Sequence, residues 1–270
     1  MKTTTTQPVR IDTTGFTLIE MIGVIAIMGI LAAVITPNAL RTLDRAAERA
    51  EADTLHNLGE QVKLSFKVNG WLPGLKPTPP FTTWDQDLWT FADMNPADIV
   101  TNKRQMARVF VLEPGAMPKR AMLLSSMRSG LALGPANTAA AFTAVWNWNA
   151  AGDLTLFPPP AGWAAWNNTN IEYLVIERVN LQAVYMTINL SNNTAKSTNL
   201  VGYRIQPVGG PPGGLQTLTK GTSQTLTMRP NERLDLYNTN VGTGVPDYTY
   251  IVSSGFKVID FDDTNFWTPQ

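Results

Sequence analysis

Gly15-Phe16-Thr17-Leu18-Ile19-Glu20 opens a run that stays apolar as far as Ile35, with Glu20 as its one charged residue. As a helix rising ~1.5 Å per residue, positions 16 to 35 reach about 30 Å, the hydrocarbon thickness of a bilayer. The segment can therefore span a membrane. A carboxylate inside such a span costs roughly 2.5–3.5 kcal/mol on insertion scales, so it reads as functional and calls for a partner, for which an amine is the natural chemistry. Residues 1–15 are polar and carry Lys2 and Arg10 against Asp12, which reads as a cytoplasmic leader. Lys2 and Arg10 favour a cytoplasmic N-terminus, whereas Arg41, Arg45 and Arg49 beyond the span oppose that orientation. Ala32-Ala33-Val34 and Pro37-Asn38-Ala39 can be read as secretory cleavage sites, but a cut there would discard the apolar segment itself.

Working outward, Leu40, Leu43, Ala47, Ala50, Leu55, Leu58, Val62 and Phe66 recur mostly at three- and four-residue steps, the spacing of an amphipathic helix. Arg45 with Glu48, Arg49 with Asp53 and Glu60 with Lys63 fall at helical contact spacings and read as a solvated face. Pro37 removes one backbone donor and can kink the helix without ending it, and Gly70 is a credible stop. The expected organisation is a leader over 1–15, a transmembrane segment over 16–36 and an amphipathic segment over 37–70. A mixed α/β part of a head follows over 71–162, then a β-rich part over 163–270.

The string GFTLIE with the following MIGVIAIMGILAAVITP resembles the N-terminal signature of the type IV pilin and pseudopilin family. The resemblance covers about 50 residues when the amphipathic helix is included. It implies a membrane peptidase that cuts between Gly15 and Phe16 and methylates the new Phe16 amine. It also implies that Glu20 pairs with a neighbouring subunit's amine, and that Gly29 and Pro37 are positions where helical hydrogen bonding can be lost in an assembled fibre. The implied partners are identical or homologous pilin subunits, the prepilin peptidase and methylase, an inner-membrane assembly platform, and lipid before assembly. The implied location is a single-pass precursor in the bacterial inner membrane, with its head periplasmic or, in a pilus, extracellular. The residues support the same reading independently, because Glu20 beside a neighbour's Phe16 amine replaces two unpaired charges in lipid with one ion pair.

The 200 residues from 71 onward suffice for one large or two small domains, and an apolar content of 44% with 8 Trp and 10 Phe argues against disorder. Ile171 to Val179, Leu181 to Leu190, Leu200 to Ile205, Gln224 to Met228, Arg233 to Tyr237, Tyr248 to Val252 and Phe256 to Phe261 alternate as short strands, suggesting two packed layers. Asn95-Pro96 caps a helix expected to run to about Arg108, ahead of a buried strand over Val109 to Leu112. The expected class is α+β, a long N-terminal helix packed on a β-rich globular head. There is no cysteine, so an exported head must hold together without the disulfide many pilins carry.

Chemistry is scarce. With no Cys and a single His, His56, the sequence offers no thiol nucleophile and no His-based metal cluster. His56 itself reads as a surface or helix-packing residue. No cofactor is expected. Asp260, Asp262 and Asp263 concentrate oxygen ligands, and some pseudopilins bind calcium in a late loop; the spacing here is not an EF-hand pattern, and a solvated acidic turn is the alternative. Asp85 and Asp87 are a weaker version of the same pattern. Trp146 and Trp148 would share a face if their segment were a strand, forming an exposed platform. The formal net charge of zero gives no bulk case for nucleic acid, and Lys103, Arg104, Arg108, Lys119 and Arg120 are the only clustered basic candidates. The function expected is a structural, non-enzymatic subunit of a type IV pilus or related filament. The alternatives are a type II secretion pseudopilin and a membrane-anchored binding or enzymatic head.

Overall fold

The apolar periodicity after Thr17 is realised as one helix, α1, Leu18–Asn69, with Pro37 inside it. These observations come from a computed structural model that describes residues 17–148, 161–163, 165–167, 169–193, 200–239, 244–253, 257–261 and 267–269. The chain divides into two compact units, 1–47 and 48–270. In the first unit α1 buries nothing; in the second, Glu51, Leu55, Leu58, Gly59, Val62, Ser65 and Phe66 form a buried stripe. Each large apolar side chain on that stripe contributes about 1.5–3 kcal/mol by leaving water. The helix stops at Gly70, which adopts φ +78° while its N–H donates to the Phe66 carbonyl at 2.9 Å. A Cβ at Gly70 would lie 2.5 Å from the Pro230 carbonyl oxygen. Gly70→Ala should therefore cost more than the ~1 kcal/mol of the left-handed backbone alone, read as a lowered thermal midpoint.

The stripe packs on a three-stranded sheet ordered β1-β2-β3, made by Arg108–Leu112, Arg120–Ser126 and Leu174–Asn180, antiparallel throughout. The central strand β2 is buried on both faces. Ala121 and Leu123 meet the α1 stripe, with Val179, Leu181, Tyr185 and Ile99 completing that layer. Met122 and Leu124 turn the other way, into a layer built by helix α4, Ala139–Trp146, and by Trp148, Trp163 and Trp166. The indole N–H groups of Trp163 and Trp166 donate to the carbonyls of Pro135 at 3.0 Å and Ala132 at 2.8 Å, so these buried rings leave no unpaired donor. Tyr185 donates to the Pro118 carbonyl at 2.7 Å, and burial pushes its phenol up to about 12.

Two further helices flank this sheet, α2 at Trp84–Ala92 and α3 at Pro96–Val100. Asp87 of α2 accepts from the Gly74 N–H at 2.8 Å and the Thr82 hydroxyl at 2.5 Å, which is a loop staple and accounts for one of the two acids at 85 and 87. The Asn95 side chain caps α3 as expected, accepting from the Ala97 N–H at 3.0 Å. The helix ends at Val100, well short of Arg108. The reason is Asn102, which is buried; its side-chain oxygen accepts from the Arg104 and Met106 N–H groups and turns the chain into β1.

The C-terminal part is a sandwich of two four-stranded sheets. One is ordered β11-β10-β4-β7, made by Trp267–Pro269, Lys257–Phe261, Met186–Asn192 and Ser223–Met228; the other is β6-β5-β8-β9, made by Gln216–Thr219, Leu200–Gln206, Arg233–Tyr237 and Tyr248–Ile251. Among the described residues only the β10 and β4 pairing is parallel. Ile188, Leu190, Leu226, Met228, Ile259 and Phe261 face Val201, Leu218, Leu234 and Leu236 across one core. The two packed layers are as the alternation predicts, and the class is α+β. Two expected strands start late, because Ile171–Tyr173 and Gln182–Val184 form short 3-10 turns ahead of β3 and β4.

Candidate assembly site

Thr17 and Glu20 form a reciprocal cap at the start of α1. The Thr17 N–H and hydroxyl both donate to Glu20 Oε2 at 2.8 Å, and the Glu20 N–H donates to Thr17 Oγ1 at 3.3 Å. This is a capping box, in which the first-turn acid satisfies donors that the helix cannot pair itself. Both Thr17 donors converge on Oε2, and among the described residues no hydrogen bond reaches Oε1.

Beyond the cap, α1 presents apolar side chains to its surroundings on every side. Leu18 is 80% exposed and Ile30 66%. The most apolar window has a mean hydropathy of 2.7, and none of it is buried. A helix apolar all round fits lipid or other helices, not water. Gly23 and Gly29 have nothing within 4 Å of where a Cβ would lie. Pro37 has no N–H to give to the preceding turn, and the neighbouring Thr36 hydroxyl donates to the Ala32 carbonyl at 2.6 Å.

Gly15 and Phe16 lie outside the described residues, as do Asp262 and Asp263. Asp260 sits on β10, paired in register with Thr268 on β11 and Ser191 on β4. Among the described residues no group of three or more His, Cys, Asp or Glu is placed to hold a metal.

Two of the clustered basic residues are engaged by carboxylates. Arg108 is buried and holds Glu51, with Nε to Oε1 at 2.6 Å and Nη2 to Oε2 at 2.8 Å. Arg120 pairs with Glu113 at 2.6 Å and lies over the rings of Phe142 and Trp146, and that guanidinium holds the Glu113 carboxyl below its ordinary range. Trp146 and Trp148 do not form a strand platform. Thr138 caps α4 through the Ala141 N–H at 3.2 Å, Trp146 ends that helix stacked on Phe142 at 5.8 Å, and Trp148 is buried against Trp163. His56 is exposed on α1 with Nδ1 3.1 Å from Glu177 Oε1.

Two features were not anticipated from the sequence. Thr17-x-x-Glu20 ahead of an apolar run is itself a capping-box pattern, so the signal for Thr17 was present. Glu51 falls on the buried stripe, four residues before Leu55, and its position there was the available hint.

Comparison with protein families matches residues 12–36 to the prokaryotic N-terminal methylation motif, the prepilin signature of type IV pilins and pseudopilins. The motif marks a type IV pilin-like or pseudopilin protein in general. It implies processing by a prepilin peptidase and assembly with other pilin subunits, and with the apolar helix it fits anchoring in the inner membrane. Comparison with curated proteins gives no match. Among solved structures, the crystal structure of the human-specific toxin intermedilysin aligns over 66% of this chain and 53% of its own, at 11% identity and a TM-score of 0.20. A structure described as "Trapped Toxin" aligns over 56% and 47%, at 10% identity and a TM-score of 0.18. A disulfide-locked mutant of intermedilysin with human CD59 aligns over 56% and 45%, at 12% identity and a TM-score of 0.17. The chain spans about half the length of these proteins, and likeness at this level carries no argument.

Proposed function

We propose that this chain is a structural subunit of a type IV pilus or related helical filament, cut between Gly15 and Phe16, N-methylated on Phe16 and assembled through α1. The observation that carries this reading is an acid fixed at the first turn of a helix whose N-terminal stretch is otherwise apolar and unburied, inside the methylation motif. Before processing, the Phe16 nitrogen is an amide and has no charge to offer. Cleavage creates an ammonium group four residues from Glu20. In a filament Glu20 Oε1 then accepts a neighbour's Phe16 ammonium while Oε2 keeps its Thr17 donors. Burial of the apolar surface between packed helices supplies the bulk of cohesion, and the ion pair sets which acid meets which amine. Gly29 presents no Cβ to an approaching helix, and Pro37 removes one N–H from the hydrogen-bond ladder.

Gly15→Val tests the processing step. The variant should accumulate in membranes as the uncut chain and be absent from sheared fibres, as read by intact mass of each fraction. Assembly of the uncut variant at the normal level would contradict the proposal.

A further inference from the structure

The buried stripe of α1 begins with an acid. Glu51 is its first member, followed by Leu55, Leu58, Val62 and Phe66, and the Glu51 and Arg108 side chains are only 4% and 3% exposed. Arg108 grips both carboxylate oxygens, at 2.6 and 2.8 Å, while its Nη1 donates to the carbonyls of Asp98 and, at 3.3 Å, Ile99. One guanidinium thereby joins α1, the last turns of α3 and the start of β1.

Such a pair is a poor device for stability alone, because the cost of removing two charges from water offsets their attraction and apolar residues of similar volume do as well. It does something apolar contacts cannot. A stripe of Leu, Val and Phe at three- and four-residue steps nearly repeats itself on each turn, so apolar packing specifies a face more strongly than an axial position. A two-pronged ion pair has one alignment, and displacing it strands two buried charges. At the other end of the stripe, the Asn231 side chain donates to the Val68 carbonyl at 2.9 Å, and Gly70 fits closely under Pro230. Glu51 is the corresponding fixture at the end where the buried stripe begins, and tension carried along the helix from residues before 48 meets it first.

We propose that the Glu51–Arg108 pair is a mechanical clamp that keeps α1 from sliding or peeling off the β1-β2-β3 sheet when the subunit is pulled along its N-terminal helix. The source of that tension rests on the filament reading; the clamp itself does not need a filament to be measured. Apolar substitution should separate the two properties that ordinary packing keeps together, thermal stability and resistance to directed force.

The chain has no cysteine, so Thr42→Cys and Val245→Cys provide unique handles for pulling the full-length protein in detergent with an optical trap. Val245 is 90% exposed, and attachment there disturbs no core. The parent is compared with Glu51→Met/Arg108→Met and with Glu51→Gln. The double variant should melt close to the parent, yet the first rupture, which frees the α1 stripe, should occur at a clearly lower force than in the parent. Glu51→Gln should fall between. A folded double variant that ruptures at the parent force overturns the clamp. Should the double variant fail to fold, Glu51→Gln decides: a lowered rupture force supports the clamp and an unchanged one overturns it. Failure of the filament reading would appear instead as absence from fibres and would leave these forces unaltered.

Discussion

Replacing Glu20 by Val should leave the subunit in the membrane fraction and deplete it from sheared fibres by about two orders of magnitude. The magnitude follows from the cost of a carboxylate within a span, roughly 2.5–3.5 kcal/mol, at ~1.4 kcal/mol per factor of ten. In the wild-type monomer that cost is only partly relieved by the Thr17 N–H and hydroxyl at 2.8 Å. In the proposed filament an ammonium relieves the remainder. Val removes both the cost in the monomer and the relief in the filament, so the monomer gains and the filament loses. Glu20→Gln separates two roles, because an amide oxygen can still accept from Thr17 but cannot pair with an ammonium. Quantifying each variant in membrane and sheared fractions checks the claim, and incorporation of the Gln variant at the wild-type level would show that capping alone suffices.

The second large effect lies in the head. Arg108→Met leaves the Glu51 carboxylate buried without its partner, a situation that costs about 3–5 kcal/mol. Against a total stability of about 5–15 kcal/mol, that is about a fifth or more of what holds a domain together. For a unit of this size the thermal midpoint should fall by roughly 6–20 °C. A melting curve within 2 °C of wild type would mean that Glu51 finds another partner, which the present geometry does not provide. The contrast with the apolar double substitution is informative, because removing both charges removes the penalty along with the attraction.

The N-terminal half of α1 was legible because its two signals, an unbroken apolar run and a single acid, need no tertiary information. The stop at Gly70 and the cap at Asn95 were legible for the same reason: each is a local backbone requirement written into one residue. Strands β4, β5, β7, β8, β9 and β10 of the sandwich were found from their period of two, and the short β6 and β11 were not. β2 was not, because Arg120–Ser126 is buried on both faces, and a strand buried on both sides loses its alternation. The short α3 was overextended because the residue that ends it, Asn102, works through side-chain bonds to Arg104 and Met106 that only the folded loop creates. Trp146 and Trp148 misled for a related reason. Spacing by two places them on one face only if the segment is a strand, and the Ala-rich stretch capped by Thr138 prefers a helix.

The candidate site divides along the same line. Glu20 was identified by being out of place in an apolar run, a property of the sequence itself. Glu51 was not, because among Asp44, Glu48 and Asp53 it resembles one more surface acid, and only the arrival of Arg108 from 57 positions away makes it a buried partner. The clustered Lys and Arg residues stood as the basic candidates for the converse reason: proximity in sequence does not say that Arg108 and Arg120 are each engaged by a carboxylate.

The proposed function turns on cleavage after Gly15 and on use of the chain as a filament subunit from Phe16 onward. Intact mass and N-terminal sequencing of the protein recovered from sheared surface material and from membranes test it most directly. The predicted result is a chain beginning at N-methyl Phe16 in the sheared fraction, with the uncut precursor confined to membranes. Met1 retained in both fractions would contradict it.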